Sequence, residues 1–216
     1  HAARALWQLA AVRSNQRAIA DSATELLVKL LTTGTALAQK YAAGVLWHLV
    51  SLSDAKAAMV QAGAIPALTS ALAAENAELR DYSAAVVSAL ARTQGGNKRE
   101  IFRAGGIKPL VNLLCDQKLS TQRHAACALW GMADGKDGVY DKQIAEAGAI
   151  PDLIGMLQND DPETRGFAAA CLKCCCADES AKATILSVGG ADPLVALLSS
   201  PNTWLRAQCV DMLKLL

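Results

Sequence analysis

The sequence has few aromatic residues, no excess of either charge and no long apolar run. Only 4% of the 216 residues are Phe, Trp or Tyr, whereas 52% are hydrophobic, so Ala, Leu, Val and Ile supply most of the apolar content. Lys and Arg number 21, against 20 for Asp and Glu. This balance excludes a strongly basic protein of the kind that binds nucleic acid or anionic membranes. No run approaches the ~18 apolar residues of a membrane helix.

The cysteines do not follow the pattern of a disulfide-bonded domain. There are seven, an odd number, and four of them crowd into one short segment, namely Cys171, Cys174, Cys175 and Cys176. This usage indicates a reducing compartment, the cytoplasm or the nucleus. The sequence has no Asn-x-Ser/Thr site and no signal peptide at its start, and it begins with His1 instead of Met. We therefore expect a fragment of a longer protein.

A short glycine-containing motif recurs along the whole chain. It reads Ala-Gly-Ala-Ile-Pro at residues 62–66 and 147–151, and looser copies occur at 104–107 and 188–191. A degenerate copy without glycine begins at Ser22. The glycines, which lie at intervals of 42, 43 and 41 residues, are Gly63, Gly105, Gly148 and Gly189. Internal periods of this length are typical of solenoid proteins.

A second motif follows each copy of the first with the same period of about 41 residues. It has an aromatic residue or His, then small residues, then Leu and often Trp. The copies begin at His1, Tyr41, Tyr82, His124 and Phe167, and a weak one lies at 208–213. Two independent motifs with one period are poorly explained by chance.

The residues of one period predict three helices. A polar-apolar segment such as Asn15–Ile19 indicates a first helix of one or two turns, and Gly permits a sharp turn at its end. Pro66 and Pro151 stand near the start of the second helix, where Pro is tolerated. After a loop rich in Asp, Asn, Ser and Pro comes the third helix, whose Ala residues allow neighbours to pack closely.

These motifs resemble the armadillo repeat of beta-catenin and importin alpha. The resemblance implies an all-α, right-handed superhelical solenoid of three-helix repeats, with the third helices lining a concave groove. We expect a single armadillo domain over 1–216, with an orphan third helix at 1–12 and repeats at about 13–52, 53–93, 94–135, 136–177 and 178–216.

The resemblance also implies where a partner binds. In the family, an Asn near the end of each third helix grips the backbone of a peptide, but the matching positions here carry Gln8, His48, Ala89, Gly131, Cys174 and Leu215. We expect the groove to be lined by Gln8, His48, Ala89, Gly131 and Cys174, and by the Trp residues that directly precede three of these positions, Trp7, Trp47 and Trp130. One helical turn before the Asn positions lie further expected groove residues, namely Arg4, Gly44, Ala85, Cys127 and Ala170. The expected charged residues of the groove are Lys40, Asp81 and Arg123. The small residues predict a floor with room for a bulky ligand, and an apolar helix suits it better than an extended basic peptide.

Other arrangements have simpler interpretations. The cysteine cluster at 171–176 lies on one predicted helix, which favours buried packing residues over a zinc site; an exposed redox-sensitive thiol, Cys174, is the other alternative. His124 replaces an aromatic residue and is expected to pack, whereas His48 is expected either to pack or to touch a ligand. The three Trp are explained by packing between repeats or by partner contact. The segment Asp134–Gly138 fails as a calcium loop, because position twelve is Ile144.

Three functions compete. The favoured one is a non-enzymatic scaffold or adaptor that binds a protein or peptide in the groove, without catalytic residues, metal, cofactor or nucleic acid. The alternatives are an import adaptor of the importin-alpha type, which would show recurrent Asn residues and an acidic groove, and a substrate-docking module of a larger enzyme such as a ubiquitin ligase.

Overall fold

The computed structural model describes residues 1–93, 96–134 and 138–216, which form fifteen α-helices and two short 3-10 turns. None of these described residues lies in a β-strand, so the all-α prediction is confirmed. The predicted repeat boundaries at residues 94, 135 and 136, and the middle of the 134–138 segment, lie outside the described ranges.

The first compact unit spans His1–Pro109. Its helices are α1 (Ala2–Ala10), α2 (Arg13–Thr33), α3 (Ala36–Leu49), α4 (Ser53–Gln61), α5 (Ala64–Ala71), α6 (Ala77–Ala91), α7 (Asn97–Arg103) and the first residues of α8 (Ile107–Asn112). Helices α1, α3 and α6 pack side by side in that order, and α2, α4 and α5 pack behind them. We assign α1, α3 and α6 to the third-helix position of the repeat.

The second compact unit spans Leu110–Leu216. After a 3-10 turn at Leu113–Cys115 come α9 (Leu119–Ala133), α10 (Val139–Glu146), α11 (Ala149–Met156), α12 (Pro162–Cys175), α13 (Glu179–Ser187), α14 (Ala191–Ala196), a 3-10 turn at Leu197–Ser199 and α15 (Thr203–Leu215). Here α12 packs between α9 and α15, which are the third-helix elements of this unit. The five-repeat register itself remains a proposal.

The glycine motif forms the turn that the sequence predicts. Gly63, Gly105, Gly148 and Gly189 have φ values of 75°, 76°, 87° and 76°. This left-handed conformation is open to Gly because it has no β-carbon. Each of these glycines separates a first helix from a second helix, and the expectation of a sharp turn is confirmed at all four.

Helix α2 departs from the prediction of a short first helix and a turn at the degenerate motif. It continues without a break from Arg13 to Thr33. The physical reason is local: Ser22 stands where the other copies have Gly, and its hydroxyl donates to the carbonyl oxygen of Ala18 at 2.7 Å, four residues back. Without a residue that favours positive φ, the first and second helices form one rod.

The loop residue before four of the third helices caps the helix with its side chain. The side chains of Thr35, Asn76, Asp161 and Asn202 accept a hydrogen bond from a backbone N–H in the following first turn, whereas Lys118 at the equivalent place does not. Such N-caps are worth about 0.5–2 kcal/mol each. The polar loops therefore determine where the third helices begin.

The core of each unit is built from the apolar sides of these helices. Leu46, Leu90, Leu129 and Leu172 in the third helices are fully buried, and burying a Leu side chain stabilises a fold by about 1.5–3 kcal/mol. Within the described ranges, no single helix is long and apolar enough to cross a membrane; the pair Glu179–Ser187 and Ala191–Ser199 reaches that length and composition only together, with a bend of 84°.

Candidate functional site

Two pairs of aromatic rings connect the third helices of the first unit. Trp7 of α1 contacts Tyr41 of α3 with ring centroids 5.8 Å apart. Trp47 of α3 stacks on Tyr82 of α6 at 5.6 Å. Each Trp therefore packs on the aromatic residue that begins the second motif in the next third helix. Both Trp residues thus take part in packing between third helices, and Trp47 keeps 40% of its surface exposed.

Gly44 lies beneath these rings and is not an open floor. A β-carbon at position 44 would lie 2.7 Å from Cδ1 of Trp7 and 3.2 Å from Cε2 of Tyr82. The indole Nε1 of Trp7 is buried and has no hydrogen-bond partner among the described residues. Trp7 is thus held by contact with the glycine backbone, and the space that the sequence left for a ligand is filled here by the protein's own ring.

The remaining predicted residues of the first unit differ in exposure. Arg4 and Gln8 are exposed, Ala85 and Asp81 are buried, and Ala89 is half-buried. His48 is also half-buried, and burial lowers its pKa. Because His48 and Ala89 hold the same position in neighbouring helices, the accessible part of this face runs past Trp47, His48 and Ala89.

Charged residues at the start of the third helices form ion pairs. Lys40 Nζ lies 2.8 Å from Glu78 Oε2 and 4.8 Å from the centre of the Tyr41 ring. In the second unit, Arg123 Nη1 lies 3.5 Å from Glu163 Oε2 and 3.6 Å from Asp161 Oδ2. Lys40 and Arg123 are equivalent by repeat, as are Glu78 and Glu163, so one cross-helix pair occurs in both units.

The second unit has a cluster of three aromatic rings. Trp130 of α9 stacks on Phe167 of α12 at 5.7 Å, and Trp204 of α15 meets both rings edge-on at 5.9 Å and 6.1 Å. Trp204 is 38% exposed. Offset and edge-on aromatic pairs are each worth about 0.5–1.5 kcal/mol beyond burial. This cluster therefore stiffens the third-helix face and still presents a large ring to solvent.

The small residues predicted for the second unit are mostly covered. Cys127, Gly131 and Ala170 are buried, whereas Cys174 is half-buried. The sequence motifs did not indicate that Trp204 and Phe167 belong to the third-helix face of this unit, or that Tyr41 and Tyr82 belong to that face in the first unit. The repeat register could have identified Trp204. It lies two residues after the N-cap Asn202, which is the position that Glu163 holds relative to the N-cap Asp161.

The cysteine cluster consists of free thiols. A hydrogen bond with Cys175, together with burial, raises the pKa of Cys171, and burial raises the pKa of Cys174 to about 11. Cys174 therefore holds its proton at neutral pH, which argues against the reactive-thiol alternative. Within the described ranges, no three His, Cys, Asp or Glu side chains are grouped so that they could hold a metal ion.

Comparison with known proteins places these features in context. The family model described as Armadillo/beta-catenin-like repeat matches residues 96–134. Human Armadillo repeat-containing protein 3 is 29% identical over 107 residues, which are 49% of this chain and 12% of that protein. Vacuolar protein 8 of Schizosaccharomyces pombe is 27% identical over 175 residues, which are 81% of this chain and 32% of that protein. The chain thus spans a third or less of these curated relatives.

Solved structures share the fold over nearly the whole chain. The crystal structure of an engineered protein aligns with 99% of this chain and with 88% of the engineered chain, at 32% sequence identity and a TM-score of 0.82. A designed armadillo repeat protein matches 99% and 91%, with 23% identity and a TM-score of 0.84. Another, solved in complex with a (KR)4 peptide, matches 99% and 91%, with 22% identity and a TM-score of 0.79.

Proposed function

Because this chain belongs to the armadillo-repeat family, we propose that it is a non-enzymatic protein-interaction module whose third helices bind a protein or peptide partner. Its compartment would be the cytoplasm or the nucleus, where free thiols stay reduced. The observation that carries the proposal is Trp47, which remains 40% exposed beside half-buried His48 and Ala89. Partly exposed Trp residues on rigid helices are typical of interaction hot spots.

The chemistry of this face favours an apolar partner surface over an extended basic peptide. Among the positions of the family's peptide-gripping Asn, only Gln8 keeps an amide here, whereas Ala89, Gly131 and Cys174 offer none to a peptide backbone. The acidic residues Glu78 and Glu163 are already paired with cations. An amphipathic helix that places an apolar side chain against Trp47 would use what remains exposed.

Adding bulk at Ala89 tests the proposal. We expect Ala89→Arg to leave the melting temperature unchanged, because the side chain is half-buried at the edge of the face, and to abolish binding of peptides selected on the wild-type chain from a displayed random library. Ala67→Arg is the matched control, since Ala67 is equally half-buried but lies in the second helix α5.

The two variants separate the possible outcomes. Loss of binding in Ala89→Arg alone, with both variants folded, supports the third-helix face. Equal binding by both variants would mean that partners use another surface. Unfolding of Ala89→Arg alone would show that position 89 belongs to the core, and His48→Ala then serves as the second probe of the same face.

A further inference from the structure

A cleft in the second unit shares no lining residue with the aromatic cluster of Trp130, Phe167 and Trp204. It has a volume of about 450 Å³ and is lined by Leu157, Gln158, Arg165, Asp192, Pro193, Ala196 and Leu197. We call it the Arg165 cleft. Most of its wall is aliphatic, and Arg165 is the one cation among its lining residues.

The position of Arg165 in the repeat normally has a structural task. Four residues after the cap position of four third helices, a long polar side chain donates a hydrogen bond to a backbone carbonyl six or eight residues earlier. The bonds run from Gln39 to Leu31 at 3.0 Å, from Arg80 to Ala74 at 2.9 Å, from Gln122 to Asp116 at 2.7 Å and from Arg206 to Ser200 at 2.5 Å. The four bonds seal the junction between a second helix and a third helix.

Arg165 holds the same position and makes no such bond. Its Nε is buried and has no hydrogen-bond partner among the described residues, and its guanidinium forms no ion pair with the Asp192 carboxylate on the rim of the same cleft. A buried donor without an acceptor is uncommon and costs stability. The described residues therefore supply no acceptor to the Arg165 side chain at the wall of this cleft.

A comparable cleft in the first unit shows the satisfied case. It is lined by Leu31, Thr32, Gln39 and residues of α5 that include Pro66, and its volume is about 420 Å³. Leu31 lies four residues before the cap Thr35, and Gln39 lies four residues after it. Leu157 and Arg165 hold the same two positions relative to the cap Asp161. In this cleft the polar side chain is neutral and already bonded to Leu31. The Arg165 cleft thus differs from this one by two charged residues, Arg165 without a protein acceptor and Asp192 on the rim.

We propose that the Arg165 cleft binds the carboxylate of an acidic side chain in a partner protein, with an aliphatic residue on each side of it. A guanidinium recognises a carboxylate through two parallel hydrogen bonds. Leu157 in the lining is buried, whereas Pro193, Ala196 and Leu197 present aliphatic surface to the cleft. An internal Glu between two Leu residues supplies apolar groups on both sides of the carboxylate, whereas a chain terminus supplies them on one side. The exposed Asp192 repels a dianionic phosphate more strongly than a carboxylate.

The probe is the blocked peptide acetyl-Leu-Glu-Leu-amide, and its control is acetyl-Leu-Gln-Leu-amide. Binding to the full chain is followed by the NMR signal of the Arg165 Nε–H. We expect the Glu peptide to shift this signal and to bind about tenfold more tightly than the Gln peptide, which corresponds to about 1.4 kcal/mol. Arg165→Gln should remove this preference without unfolding the chain, since Gln39 and Gln122 already occupy equivalent positions.

Two control variants and a set of overturning outcomes make the proposal refutable. Arg206→Gln alters an Arg that is bonded to Ser200, and it should leave binding unchanged. Asp192→Asn should tighten binding of the Glu peptide by removing a repelling charge. Equal affinity of both peptides, retention of the preference in Arg165→Gln, or tighter binding of acetyl-leucine or inorganic phosphate would overturn it.

Discussion

The indole ring of Trp204 lies directly on the α-carbon of Gly166, so that a β-carbon at position 166 would overlap the ring at Cζ3. By repeat, position 166 is equivalent to Lys40 and Arg123, and position 204 to Glu78 and Glu163. The same two positions thus hold an ion pair on two pairs of third helices and a Gly–Trp contact on a third pair. On this third pair, Gly166 replaces the cation and Trp204 replaces the anion, because a glycine at position 166 makes room for the indole ring.

Gly166→Ala tests this contact. We expect the variant to lower the free energy of unfolding by about 1–3 kcal/mol, because the methyl group must displace a packed ring, and to increase acrylamide quenching of tryptophan fluorescence. Gly155→Ala in α11 is the matched control: its β-carbon meets no atom within 4 Å, and Ala is favoured over Gly in a helix by about 1 kcal/mol. Equal stability of the two variants would show that Trp204 moves away without cost.

The cap residue Asp161 predicts a pH-dependent contribution to stability. Burial alone would raise the pKa of Asp161, but hydrogen bonds from the Thr164 hydroxyl and from the N–H groups of Thr164 and Glu163, with the charge of Arg123, lower it below the ordinary 3.8. A lowered pKa stabilises the fold above pH 3.8, and this contribution is lost as pH falls through the folded value.

Asp161→Asn isolates the charge from the cap, since Asn caps helices about as well as Asp. We expect Asp161→Asn to melt below the wild type at pH 7 and the gap to close as pH falls below about 4. Asp161→Ala loses the cap as well and should cost about 0.5–2 kcal/mol. A gap between wild type and Asn variant that is constant from pH 7 to pH 2.5 would refute the assignment. Melting temperature measured by circular dichroism decides it.

The Cys174 thiol is expected to react slowly with alkylating agents at neutral pH. Its pKa of about 11 results first from burial and then from the neighbouring Cys175, and the thiolate is the reactive form. With iodoacetamide at pH 7.5, mass spectrometry should show Cys115, which is exposed, modified before Cys174. The rate at Cys174 should rise as pH increases towards 11. Preferential modification of Cys174 at pH 7.5 would restore the redox-sensor alternative.

This chain is expected not to bind the (KR)4 peptide found with one of the designed proteins. Its third helices lack the recurring Asn, and the carboxylates of Glu78 and Glu163 are occupied by Lys40 and Arg123. Fluorescence anisotropy of labelled (KR)4 should show no saturation at concentrations that saturate the designed protein, which is the positive control. Saturable binding that Ala89→Arg abolishes would instead favour the import-adaptor alternative.

The sequence alone determined the features that depend on neighbouring residues in the chain. The all-α class, the period of about 41 residues, the left-handed turns at residues such as Gly63 and Gly148, and the caps at Asn76 and Asp161 all follow from local backbone preferences. Even the unbroken α2 has a local cause, the Ser at position 22, although the motif there had been interpreted as a turn. Local conformational preferences act within a few residues, so they can be read from a single chain.

Only the tertiary structure decided which small residues are open to a partner. The sequence presented Gly44 as free space in the groove, but the Trp7 ring, 37 residues away, covers it. Trp204, 38 residues away, packs on Gly166 in the same way. The unsatisfied guanidinium of Arg165 was equally invisible, because Arg80 and Arg206 bond to carbonyls at the same repeat position. Side-chain packing between helices distant in sequence determines these outcomes, and residue types with a shared period do not specify it.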